Sequence, residues 1–418
     1  MFKNPTRLRP WWAVLALALA VPGCGGGRTA AAPASALPPV DPATAGTLTV
    51  TLVKDGLGDD LAQLNLAIRK VEVRSGGLWR PVLELPSPAP ALAVLEATSS
   101  APLALTAGPG LPLPPGACDA LRITLDPSKV NLADDPDTAH DLAVPGPFVC
   151  PMGPPGTITV ATGQDTELRI AFPVDHVVQA RTADPQEPPS YQLVPGAVRG
   201  YDLAATGSIT GQVAAAGTGA EPGAPLGDTV VTAQMWMAGA PVTHAIAFRT
   251  VRADESGAFT LDLLPRGPAY TWTVVSRLVP GSPAYQAGLG SPAMPLDDRA
   301  VPATFGALVT PPAAAAAGTL SGTLATPPAP GQAVWVDLVQ VFPVGGPPSL
   351  LCPFVVDSAP IGADGTFAFP AADSRLPAGN YAAVLHAYQL GPDQELVDTP
   401  RSSGPIELAG GEAQTVAF

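Results

Sequence analysis

The chain has 418 residues, 46% of them apolar and only 13% charged, with 53 prolines and 43 glycines. So many interior-helix breakers exclude a helix-rich fold, and the apolar share supplies a core, which leaves an ordered, turn-rich β protein. The net charge of −14, with no basic stripe to relieve it, excludes nucleic acid as a partner.

At the amino terminus Lys3, Arg7 and Arg9 precede an apolar run, Trp11 to Val21, that stops at Val21-Pro22-Gly23-Cys24. As a helix this run spans about 16 Å, roughly half of a bilayer core. Residues 1–23 therefore read as a secretory signal and not as a spanning helix. Val21 to Cys24 resembles the lipobox of bacterial lipoprotein signals, an aliphatic residue and two mostly small ones before a Cys; Pro22 departs from the usual small residue. The resemblance implies that Cys24 becomes the first residue of the mature chain and carries acyl chains, which makes the lipid bilayer a partner and the cell envelope the location. Gly25 stands where an Asp would argue for retention in the inner membrane, so the outer membrane is favoured, on its periplasmic face or at the cell surface. Residues 24–45 are a flexible Gly/Ala/Pro tether.

From Gly46 the apolar residues alternate. "TLTVTLV" puts Leu48, Val50 and Leu52 on one face, and "LNLAIRKVEVR" does the same with Leu64, Leu66 and Ile68 before slipping phase at Arg69-Lys70. That slip predicts a β-bulge. "LRITLD", "TITVAT" and "ELRIAFPV" continue the period of two, the pattern of antiparallel sheets with one wet face. A short helix near Ala89–Glu96 is limited by Pro on both sides. With "WRPVLEL" and "YQLVPGAVRGYD", residues 46–203 resemble a bacterial lipoprotein domain family of unknown function, which implies a β-sandwich-like exported domain.

At Gly207 a unit begins that recurs: "TGSITGQVAA" (206–215) matches "AGTLSGTLAT" (317–326), and residues 251–275 match residues 361–385. Both copies resemble carboxypeptidase-regulatory-like, transthyretin-like β-sandwiches. The first carries Gly211-Gln212-Val213, then Asp254 to Phe259, then Leu264-Pro265-Arg266-Gly267 before Tyr270; the second carries Gly322-Thr323-Leu324, Asp364-Gly365-Thr366-Phe367 and Leu376-Pro377-Ala378-Gly379-Asn380-Tyr381. The expected architecture is all-β: three antiparallel β-sandwich domains in tandem, at 46–203, 204–312 and 313–418, with "PPAAAAAG" as the last joint.

The exported context permits disulfides. A hairpin centred on Ala133–Asp134 puts Cys118 opposite Cys150, which predicts a disulfide between them. Cys352 is left as a buried thiol or an intermolecular bridge. "DGLGDD" (55–60) and "VNLADDPDTAHD" (130–141, with Asp134, Asp135, Asp137, His140 and Asp141) are each a solvated loop or an oxygen-rich Ca²⁺ loop, but neither has EF-hand spacing. No metal or cofactor site is expected from Cys/His spacing. His140, His176, His244 and His386 lie in different segments, and no nucleophile, base and orienter converge locally, so no enzyme is expected. Trp236 and Trp335 sit in alternating strands, where aromatics fill cores or, if exposed, stack on sugar rings. The expectation is an envelope-anchored binding or structural module, with an envelope polysaccharide or protein as candidate partner. Pairing through sheet edges in a surface assembly is one alternative, and an enzyme acting on carbohydrate is another.

Overall fold

Alternating apolar residues become strand wherever they can face another sheet. The computed structural model describes residues 37–106, 110–144, 146–153, 156–175, 177–180, 190–193, 198–216, 223–235, 245–267, 270, 272–277, 287–289, 296, 303–310, 318–328, 332–344, 350–362, 364–369, 376–390, 396–408 and 413–418. Cys24 and the lipobox lie outside the described residues, as do Trp236, His176 and His244.

In the first sandwich the strand Thr47–Asp55 buries Leu48, Val50 and Leu52 completely. It runs parallel to Asp165–Pro173, whose Leu168, Ile170 and Phe172 enter the same core. The facing sheet is built on Leu61–Ser75 against Gly116–Leu132. There Ile68 sits opposite Leu125 but Lys70 opposite Thr124, so Arg69 is the extra residue of the expected bulge. The bulge resets the alternation and returns Val71 and Val73 to the core. Fully burying each such side chain is worth about 1.5–3 kcal/mol. Near Ala89–Glu96 only a 3₁₀ turn forms, Val94–Glu96.

The expected disulfide is corrected. The hairpin exists, with Val130 opposite His140, but the returning chain breaks and pairs again with Cys150 opposite Leu121, three residues along from Cys118. Asp119 bulges out against Arg74 and Ser75, leaving Cys118 opposite Ser75 and Ile158. Both cysteines are buried free thiols, and burial pushes both of their pKa values up. Cys352 lies on the strand Leu350–Pro360, with its side chain outside the described residues.

The two tandem copies share one topology. Thr206–Ala215 pairs antiparallel with Ala258–Pro265 and parallel with Ala303–Thr310; Thr319–Thr323 pairs antiparallel with Thr366–Phe369 and parallel with Ala413–Ala417. The opening strand of every sandwich thus has a parallel neighbour, a departure from purely antiparallel sheets. Each copy uses its Asp to close the hairpin: Asp254 accepts from the backbone of Ser256 and Ala258, and Asp364 from that of Thr366. Gly257 and Gly365 take the left-handed positions of these turns, φ 77° and 81°, which glycine adopts without a steric penalty. Phe259 and Phe367 then turn into the cores. In the second copy the Tyr381 hydroxyl donates to the Pro377 carbonyl at 2.8 Å. In the first copy Trp272, not Tyr270, takes this part: its indole N–H donates to Pro265 O at 3.0 Å, and its ring is fully buried.

Residues 40–418 form one compact unit, because the sandwiches bond to one another. Val53, Ala171, Tyr201 and Leu203 of the first pack with Leu263 of the second. The buried Gln234 carboxamide stands in for a peptide group, donating to Val355 O (2.6 Å) and accepting from Val355 N (2.9 Å) of the third sandwich. Gln179 of the first sandwich, with its amide oriented to satisfy both partners, donates to Gln332 O and accepts from Val334 N.

Candidate functional site

The joint between the first two sandwiches holds a polar cleft of about 870 Å³. One wall is the end of the strand Thr47–Asp55 with the turn after it and residues 98–100; the other is Ile246–Arg252 and Ala258–Pro265. The "DGLGDD" turn is shaped by Asp175, whose carboxylate accepts from Leu57 N (3.0 Å) and Gly58 N (2.7 Å). A Cβ on Gly56 would lie 2.3 Å from that carboxylate, so the approach requires glycine there.

Arg249 sits at the centre of the joint, its side chain 4% exposed. Its guanidinium reaches Asp55 at 2.9 Å across the joint and Asp262 at 2.8 Å within its own sandwich, with Lys54 O and Ser99 Oγ at 3.4 Å. A bulge near Gly207 and a left-handed Leu263 (φ 53°) aim these groups: Asp262 goes to Arg249 and Leu263 into the shared apolar cluster. The left-handed conformation costs a leucine about 1–2 kcal/mol, which its burial offsets. Burial raises the Asp55 pKa, Arg249 and Arg199 oppose the rise, and Asp175 and Asp262 add to it. Burial acts to lower the Arg249 pKa, but Asp55 and Asp262 outweigh it and push it up. Arg199 lies over the Phe248 ring at 4.8 Å, and Arg252 pairs with Asp59 and Asp228. Asp55 and Asp59 of the 55–60 turn are therefore engaged in ion pairs to the next sandwich, where the sequence points to a solvated or Ca²⁺-binding loop.

Local sequence does not single out Arg249 or Asp262. Asp262 lies outside the core of its own sandwich, and Arg249 stands on an edge strand beside a register shift, so neither strand's pattern marks it out. The signal was an arginine in the run "AIAFRTVR" in a chain with few cations.

The other candidates are dispersed. In the 130–141 loop His140 Nε2 lies 3.5 Å from Asp135 and its ring packs on Tyr191, while Asp141 pairs with Lys129. Among the described residues no group of three His, Cys, Asp or Glu is placed to hold a metal ion. His386 lies 3.3 Å from Asp337 and stacks on Trp335, and Ser358 Oγ donates to Asp337 at 2.8 Å. The carboxylate stands between serine and imidazole, which is the wrong order for a base that activates a nucleophile. Among the described residues no helix is long and apolar enough to cross a membrane.

No family model matches the chain, and no curated protein does. Among solved structures it is similar to the Bacillus anthracis TIE protein (12% identity over 90% of this chain and 51% of that one, TM-score 0.20). It is also similar to the shaft pilin SpaA of Lactobacillus rhamnosus GG (10%, 51% and 97%, TM-score 0.19) and to GBS52, the minor pilin of Streptococcus agalactiae (13%, 51% and 94%, TM-score 0.16). The chain spans about half the length of the first of these.

Proposed function

We propose that this chain is an exported, lipid-anchored module of the cell envelope that binds a partner and catalyses no reaction. The observation that carries the reading is the joint at Arg249, where a buried charge network fixes both walls of a polar cleft before any ligand arrives. Preorganisation of this kind lowers the ordering cost of binding. The lipobox-like Val21–Cys24 supports the tether: acyl chains at about 0.8 kcal/mol per buried CH₂ hold a protein on a membrane without a helix. A second reading, assembly through sheet edges, is favoured by Ala413–Ala417, an edge strand whose side chains are all exposed or half-exposed.

The test is membrane fractionation with radiolabelled palmitate in a bacterial host. The wild-type chain is expected in the membrane fraction and labelled. Cys24→Ala is expected to lose the label and to leave the membrane or stall uncleaved. Normal cleavage with unchanged membrane association refutes the anchor.

A further inference from the structure

Resting on the reading of the chain as a binding module, we propose that the cleft between the first two sandwiches takes a short, uncharged saccharide. Its volume, about 870 Å³, falls in the range of small-ligand pockets. Five hydroxyl side chains line it beside its charged groups: Thr98, Ser99, Ser100, Thr250 and Thr260. Each hydroxyl both donates and accepts, which matches sugar hydroxyls. Charge in the cleft is balanced, with Lys54, Arg249 and Arg252 against Asp59, Asp254 and Asp262. Balanced charge gives neither an anion nor a cation a net attraction, which leaves a neutral polar ligand as the fit. Asp262 gives one oxygen to Arg249 and keeps its side chain 22% exposed, a planar acceptor fixed in direction, of the kind that orients vicinal hydroxyls.

The rival occupant is a peptide strand, because the walls include edge strands of two sheets. Ala253 N donates to Thr229 O, so by antiparallel alternation the peptide groups of Thr250 and Arg252 point away from their sheet. An added strand would run along that edge. Arg249 to Asp55 and Ser99, and Arg252 to Asp59, cross the same line from one sandwich to the other. These bridges block a continuous strand without filling the cleft. Among the described residues, the corresponding cleft of the third sandwich, about 520 Å³ beside Thr366–Ala368, has no charged lining.

The test is calorimetric titration of the full chain in a zwitterionic detergent free of sugar headgroups. The probes are cellobiose, maltose, lactose and N,N′-diacetylchitobiose, with digalacturonate and an alternating Thr-Val hexapeptide as competitors. At least one neutral disaccharide is expected to bind with Kd of about 1 mM or tighter. Thr250→Val with Thr260→Val, which keeps side-chain shape and removes two hydroxyls, is expected to weaken it about tenfold; an unchanged melting temperature excludes misfolding. The proposal is overturned if none of the four sugars binds, if the double variant binds as well as the wild type, or if the hexapeptide or digalacturonate binds in their place. Fractionation of Cys24→Ala is independent of this titration, so the anchor and the sugar site fail separately.

Discussion

Removing Arg249 tests whether the first two sandwiches are held by a buried charge network. Arg249→Met keeps much of the side-chain volume and deletes the guanidinium, which strands Asp55 and Asp262, whose side chains are 19% and 22% exposed. Breaking a buried pair by removing one partner costs about 3–5 kcal/mol, because the remaining charge stays desolvated. For a cooperative unit of this size that is a fall of roughly 5 °C in melting temperature. The companion variant Arg252→Gln breaks pairs whose side chains are 36–85% exposed and is expected to cost less than about 1 kcal/mol. Adding Asp55→Asn and Asp262→Asn to Arg249→Met removes the stranded charges and is expected to recover much of the loss. Differential scanning calorimetry, with near-ultraviolet circular dichroism to follow Trp272 and Trp79, reads all three. If Arg249→Met loses no more than Arg252→Gln, or if the two Asn substitutions lower stability further, the joint is not held in this way.

Two further predictions concern the third sandwich. Gly322→Ala is expected to destabilise it by about 1–3 kcal/mol through overpacking, since a Cβ there would lie 2.2 Å from the Phe367 ring and 2.4 Å from Val416 O; an unchanged urea midpoint refutes that fit. Asp357 has a pKa raised chiefly by burial, with Arg277 opposing and Asp337 adding. The folded state therefore holds this proton more tightly than the unfolded chain. The stabilisation is complete below the ordinary aspartate value, about 3.9, and is lost as pH rises through the raised one. Asp357→Asn mimics the protonated form and keeps an oxygen for Ser358 N–H, so it is expected to raise the melting temperature at about pH 7 and leave it nearly unchanged at about pH 4. A lower melting temperature at about pH 7 contradicts the assignment.

Much of this fold is legible in local sequence. Leu48, Val50 and Leu52 fill a core because a strand's side chains alternate whatever surrounds it. The slip at Arg69 is visible as a phase change, and the repeated Asp-to-Phe motifs are visible because a hairpin turn is a property of a few adjacent residues. Register is not local. Asp119 bulges and the chain breaks before Phe148, so Cys150 lands beside Leu121, a shift no residue spacing announces. The equivalence of Trp272 with Tyr381 is likewise hidden, because what they share is a bond to a proline carbonyl and not a position in the motif. The cleft depends on residues far apart in the chain. Asp55 stands on the outer face of its sheet and Arg249 on an edge strand of the next sandwich, where sequence reads both as solvated charges. Tertiary structure brings the two faces together, and burial then makes their pairing strong, their pKa values shifted and the space beside them a site.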